Sequence, residues 1–576
     1  MSQKLGAFTF VLHSHLPYCR RAGRWPHGEE WIHEALSACY LPLLSALHDL
    51  AEANCPFRLT IGITPVLAEQ LNDDLVKEHF EEFVTDRLER AERDVARFEK
   101  LSDAHFAHLA KFYAKFYGHV RDCFVDRFGR DVIGAFRRLQ DAGHLEILTS
   151  AATHGYLPLF DRDSSITGQL RTGVRTYQRL FGRNPKSIWL PECAYRPSYY
   201  AEADDQRYLK PGIEQFLADV GIGSFFSETH AVEGGHPVGK AVGDAVGPYG
   251  SISRRYVVPT SAYSEPTHKT TYRPYWVSGL DVAVLGRNNR TGMQVWSADH
   301  GYPGDFEYRE FHKRDGTSGL HYWRVTGARV DLGFKEPYRP EWAQDHVQQH
   351  ADHYAGLVEN LLADYHRQSG QYGIIAAAYD TELYGHWWFE GVSWIKEVLK
   401  RLAQSETVEL CTASGYLSAY PPEDVLALPE SSWGQGGNHF TWNNVDTDWI
   451  WPHIHEAECK METLVERFPQ VSGERHEVLS QAARELLLLQ SSDWPFLVTT
   501  GQAREYAETR FEEHCERFNK LAALAERETV DAEAVTYARE LYEVDKLFAD
   551  VDYRDFANRE LSRSRWQGVG SASVRV

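Results

Sequence analysis

The chain has 576 residues, 43% of them hydrophobic, and a formal net charge of −21. That length implies two or three domains, and that apolar share a large buried core. The acidic balance excludes nucleic acid and an anionic membrane surface as partners, since both need a basic face. An uncharged substrate fits it, and 16 Trp, 30 Tyr and 28 Phe residues supply flat surfaces for sugar rings as well as core.

Taken in order, Ala7–Leu12 is predicted as the first strand, ending on His13-Ser14-His15. This run is too short for a secretory signal, and no stretch approaches the roughly 18 apolar residues that cross a bilayer. Eight scattered cysteines without a CxxC pair read as reduced thiols, so a cytoplasmic protein is expected. A helix follows from Glu30 to Leu50, then a second strand over Phe57–Ile63 closed by Thr64-Pro65. Residues 73–126 carry long, charged amphipathic patterns and no strand, which predicts a helical insertion.

Strand character returns at Leu145–Thr149, leading to His154, and again at Ser187–Leu190, Gly223–Phe226 and Val282–Leu285. Ile374–Asp380 is the last strong strand, with a weaker one at Val408–Cys411. Strands alternating with helices predict a parallel α/β barrel. Pro421-Pro422 and Pro429 mark a boundary, giving a catalytic barrel over 1–425 and a helical C-terminal domain over 426–560. Residues 561–576 are small and polar and are predicted to be a disordered tail. Six glycines between Gly234 and Gly250 predict a flexible lid within a loop spanning about 228–275, with Tyr249, Tyr256 and Tyr263 as candidates to cover a site.

The chemistry concentrates at strand ends. The apolar run from Ile374 stops at Asp380 in AAYDTELYGHWWFEG, and a second apolar run stops at Glu192 in WLPECAY. In α/β folds the reactive groups sit at the carboxyl ends of strands. Two such carboxylates flanked by aromatics suggest the acid pair of glycoside cleavage. Glu382, two residues beyond Asp380, competes for the second role on chemistry alone. His13-x-His15 admits a rival reading, because metal-dependent barrel hydrolases and deacetylases begin with HxH and complete a zinc site with a further His and Asp, here His154 and Asp380.

The two motifs WLPECAY and AAYDTELYGHWWFEG closely resemble those of glycoside hydrolase family 57, most of all its α-1,4-glucan branching enzymes, and the likeness extends to about residue 560. The resemblance implies an incomplete (β/α)7 barrel with an inserted helical subdomain and an all-helical C-terminal domain. It implies Glu192 as nucleophile and Asp380 as acid/base, and only the motif match prefers Asp380 to Glu382. It further implies a site without metal or other cofactor, in which His13, His15 and His154 contact the sugar. Trp31, Trp296, Trp433 and Trp442 match groove-lining positions, Asp493 in SSDWPF is expected in the site, and Tyr256 is the preferred lid residue. Arg287, at a strand end, is a further candidate contact to substrate or carboxylate. The implied activity cleaves an α-1,4 bond with retention and passes the chain to a 6-hydroxyl of another α-1,4-glucan. With water as acceptor the same pair gives an α-amylase, and a non-catalytic glucan-binding protein is the reading from another class.

Overall fold

The computed structural model describes residues 4–203, 206–237, 245–247, 250–252, 262–296, 301–327 and 330–558. The first strand, Gly6–Ser14, is buried along its whole length, and parallel neighbours flank it. Gly373–Asp380 runs beside it with His13 opposite Asp380, and Leu59–Ile63 lies on its other side. Leu145–Leu148 continues this sheet beyond Leu59–Ile63. Such strands have no solvent face, which is why their sequences are continuous apolar runs rather than alternating ones.

A second sheet contains Ser187–Ile188, Ser224–Ser227 and Ala283–Gly286 in parallel, with Tyr275–Val277 antiparallel to the last. The sheets meet at both ends. Thr149 bridges Ile188 and Arg287 bridges Ala376, each in parallel. Val408–Leu410 pairs only with the beginning of the first strand, at Gly6–Phe8, where Leu59–Ile63 does not reach.

Between the second and third strands, two long helices cover Asp74–Lys100 and Ala104–Asp122. Asp73 caps the first by accepting from the backbone N–H groups of Leu75 and Val76, satisfying two otherwise orphaned donors. Its buried stripe of Val76, Phe80, Val84, Arg87, Ala91, Asp94 and Phe98 follows the three-to-four-residue helical spacing.

The C-terminal helices begin at Ile450, later than the expectation of helix from about Pro429. The intervening stretch is irregular because Gly436 and Gly437 both adopt left-handed backbone, and a side chain at Gly437 would strike Pro237 and His230. Helices Ile450–Arg467, Glu474–Leu489, Asp493–Thr500, Arg504–Glu526 and Ala532–Val544 follow. The run Leu486–Leu489 is wholly buried, and it shares one apolar core with Ile188, Leu190, Phe225 and Val284 of the second sheet. That shared core fixes the C-terminal helices against the Glu192 side of the sheets.

Candidate active site

Glu192 follows a very short strand and turns on a left-handed backbone, with φ 60° and ψ 24°. Cys193 and His154 are also left-handed, at φ 50° and 58°. Each such non-glycine residue costs on the order of 1–3 kcal/mol and persists only where neighbours hold it. They do: Trp433 N–H donates to the Glu192 carbonyl, Ser492 N–H to the His154 carbonyl, and Cys193 N–H to the Leu190 carbonyl.

The Glu192 carboxylate accepts a 2.7 Å hydrogen bond from the Trp433 indole, and its other oxygen lies 3.4 Å from the Ser492 hydroxyl and 3.7 Å from His154 Nδ1. Burial pushes its pKa up to about 7, against the Trp433 hydrogen bond and the His15 charge, with Asp380 and Asp493 pushing further upward. Asp380 is pushed up to about 6 by burial, opposed by Arg287 and His15. Among the described residues no donor reaches the Asp380 carboxylate, whereas Glu192 has a fixed one. Glu382 is pushed up to about 8 by burial, opposed by its hydrogen bond from Tyr40; its Oε1 also accepts from the His15 backbone N–H at 3.2 Å. It ties the first strand's end to a helix, so it is engaged in structure where Asp380 is free.

The three histidines form a layered stack. His15 lies 3.9 Å from His154 and His13 5.1 Å from it, ring centre to ring centre, and Trp189 backs His13 at 5.0 Å. His13 and His154 are almost completely buried, so they stand behind the carboxylates rather than facing an open cleft. Burial, then the neighbouring His15, holds both well below the usual imidazole pKa and therefore neutral. His15 behaves oppositely. Burial lowers its pKa, but Asp493, 3.1 Å from Nε2, together with Glu192 and Glu382, outweighs that and leaves it raised. Its Nδ1 meets the Thr64 hydroxyl at 3.1 Å.

The other expected site residues divide. Trp433 bonds Glu192 directly and Asp493 reaches the site through His15, both supplied from beyond the sheets. Arg287 is engaged by Glu228 at 2.6 Å, yet its charge still acts on Asp380. Trp31 packs edge-on against Tyr506 at 5.3 Å, and Trp296 lies against the large core; no described contact joins either to the carboxylates. Trp442 is a correction. It is 1% exposed and stacked on Tyr156 at 4.4 Å, so its ring is core filling rather than groove wall. Tyr249 and Tyr256 lie outside the described residues, as does most of the expected lid; Tyr263 is exposed, 5.0 Å from the His236 ring.

Sequence reasoning passed over Tyr40, Thr64, Trp189, Glu228 and Ser492. Trp189 and Ser492 stand inside the motifs already singled out, and Glu228 obeys the same strand-end rule as Glu192, directly after Ser224–Ser227. Tyr40 had no such marker, being one residue of an apolar helix.

For a cation, the described residues offer one close trio, Glu485, His514 and Asp545, in the C-terminal helices. Both nitrogens of His514 are already taken, by Glu485 at 2.8 Å and Arg510 at 2.9 Å, which leaves that ring no lone pair for a metal. The HxH pair does not compose a matching donor set: His15 Nε2 faces Asp493, while His13 Nε2 faces His154 Nε2 at 3.1 Å.

Comparison with known proteins places the whole chain. Residues 9–429 match glycosyl hydrolase family 57, and residues 453–556 match the C-terminal region of 1,4-alpha-glucan branching enzymes. The chain belongs to glycosyl hydrolase family 57. It is 46% identical to a 1,4-alpha-glucan branching enzyme of Thermococcus kodakarensis over 519 residues, 90% of this chain and 73% of the relative. The crystal structure of the family's branching enzyme from that archaeon superposes with a TM-score of 0.86, at 43% identity and 96% coverage of both chains. The alpha-amylase AmyC of Thermotoga maritima superposes at 0.78, with 29% identity, covering 96% of this chain and 99% of that one.

Proposed function

We propose that this chain is a 1,4-α-glucan branching enzyme, a transferase that works by a retaining glycoside hydrolase mechanism. The observation that carries the reading is the asymmetric pair: Glu192 held ionisable by the Trp433 indole, and Asp380 part-buried with no donor among the described residues. Asp380, protonated, gives its proton to the glycosidic oxygen as the α-1,4 bond breaks, while a Glu192 oxygen bonds the anomeric carbon. Asp380, now ionised, takes the proton of an incoming 6-hydroxyl. That oxygen then displaces Glu192, leaving an α-1,6 branch and both carboxyls restored.

Without substrate, burial raises both carboxyls, Glu192 to about 7 and Asp380 to about 6. The Trp433 hydrogen bond already acts within the Glu192 value and favours its ionised form, and no described donor does the same for Asp380.

The order of the parallel strands, with the two edge bridges, supports an incomplete seven-stranded (β/α) barrel over 1–425, completed by a C-terminal domain over 426–560. Trp433 and Asp493 give that second part a share in the site. Eight free thiols among the described residues support a reducing, cytoplasmic setting, and no described helix is long and apolar enough to cross a membrane.

The α-amylase reading is the alternative, favoured by the likeness to the Thermotoga enzyme. Incubation with amylose decides between them: new α-1,6 linkages should exceed new reducing ends, and the reverse ratio would make the chain a hydrolase. Exhaustive chelation in the same assay should leave the yield unchanged. Loss restored by zinc would instead support the HxH metal reading.

A further inference from the structure

The catalytic carboxylates stand at the carboxyl ends of the strands, and a second concave site lies toward their amino ends. It is a cavity of about 460 Å³ reached from beside Ala7, Glu146 and Leu410. Along the first strand, Ala7 and His13 are six residues apart, which at about 3.3 Å per residue separates this cavity from the catalytic end by about 20 Å. The volume is in the range of small-molecule sites, about 300–1,000 Å³.

Its wall is built by the segment that pairs with the beginning of the first strand and then turns into the helix Ala413–Ala419. Three tyrosines of the wall are stacked. Tyr372 lies 4.6 Å from Tyr420 and 6.3 Å from Tyr416, and Tyr416 lies 5.2 Å from Tyr420. Tyr416 is buried and braces the others, whereas Tyr420 leaves 42% of its surface to solvent. The Tyr372 hydroxyl donates to Glu409 at 2.8 Å and the Tyr416 hydroxyl to the Tyr372 carbonyl at 3.1 Å, so the platform is fixed in orientation.

Around this platform stand hydrogen-bonding groups of both signs: Arg58, Lys186 and Arg183, the last committed to Asp141, with Glu409 and the buried Glu146. Both Glu146 oxygens are already engaged, by the Ser187 hydroxyl and the Ser414 N–H. Mixed charge beside a rigid aromatic face suits a neutral polyol whose C–H face lies on the ring while its hydroxyls reach both donors and acceptors.

From this we propose that the cavity is a second α-glucan-binding site, holding a short stretch of the polymer away from the reacting chain. The proposal rests on the branching reading for its ligand class. A polymer held at two places raises the local concentration of its other chains at the catalytic end without any new contact there.

The test uses the full chain and native electrophoresis through gels containing glycogen. Tyr420→Ala should weaken retention about fivefold, the size of one lost aromatic contact, with unchanged turnover of a short malto-oligosaccharide. Lys186→Ala, at an exposed side chain, is the second variant and should weaken retention to a smaller degree. A thermal melt confirms that each is folded. Free maltoheptaose should reverse the retention in the unsubstituted chain. Equal retention of both variants and the unsubstituted chain, with branching intact, overturns the second site and leaves the branching reading standing. Failure of the unsubstituted chain to branch amylose strikes that reading instead, and a Tyr420-dependent retention would then still define a glucan site.

Discussion

Two regions of this molecule bury carboxylates beside histidine, and they meet the penalty differently. In the C-terminal helices, Glu485 and Asp545 are fully buried beside His514. Guanidinium groups neutralise that cluster: Arg517 bonds Asp545 at 2.8 Å and Arg510 bonds the histidine ring at 2.9 Å. At the strand ends, Glu192, Asp380, Glu382 and Asp493 gather around one raised imidazole, His15, while the nearby guanidinium of Arg287 is committed to Glu228. Burial raises the helical acids as well, Asp545 to about 6, but each of them has a bonded partner that holds it in place. At the strand ends no described donor reaches Asp380, which leaves a raised acid open to exchange a proton with a ligand, as acid/base chemistry requires.

The contrast is broken most strongly at the pair itself. Glu192→Gln and Asp380→Asn should each lower branching turnover by on the order of 10²–10⁴ or more while glucan binding survives. Linkage analysis of amylose products and a binding assay on the same variants check this. Next comes the helical cluster. Glu485→Ala leaves the buried His514 Nδ1 and the Gln481 amide without their acceptor and should destabilise the fold by about 1–3 kcal/mol. Denaturant unfolding measures this, and the pH profile of the remaining activity should not move.

Trp433→Phe keeps the ring but removes the donor to Glu192. Losing a hydrogen bond to a charged group should lower turnover about tenfold. It also raises the Glu192 pKa, and activity requires the ionised form, so the acid limb of the pH–rate profile should shift to higher pH. An unmoved limb would dissociate Trp433 from the nucleophile. Glu382→Gln should have the smallest effect on turnover, since Glu382 is neutral below about 8. Abolished activity here, with Asp380→Asn still active, would exchange the two acid assignments. Its effect is expected in stability. A carboxyl with a folded pKa raised from 4.5 to about 8 stabilises fully below 4.5, and that contribution is lost as pH rises through 8. The amide variant should therefore lose less stability across that window, as thermal melts at several pH values would show.

The buried strands were legible because burial on both faces leaves a continuous apolar run, and Asp380 and Glu192 because such runs stop abruptly at an acid. The antiparallel strands Tyr199–Ala203 and Gln206–Lys210 were not, since their mixed polar and aromatic residues carry no core pattern. Trp442 was misread because a tryptophan among glycines and asparagines has the same sequence context whether it lines a groove or stacks on Tyr156. The roles of Tyr40 and Ser492 depend on contacts across more than 300 residues, between Tyr40 and Glu382 and between Ser492 and His154. No local pattern encodes those. What separates the two acid clusters was equally hidden, because the sequence lists the charges but not which cation each acid meets.

The left-handed backbone at Glu192 carries a consequence for anyone engineering this chain. A side chain there opposes the local fold, and glycine would not. Selection for heat tolerance alone would thus favour replacing Glu192, the proposed nucleophile, with glycine, yielding a sturdier scaffold that has forgotten its reaction. For the same reason Glu192→Gly, rather than the amide, is the variant suited to trapping an uncleaved glucan for crystallography: it removes the carboxyl and relieves the backbone strain at one stroke.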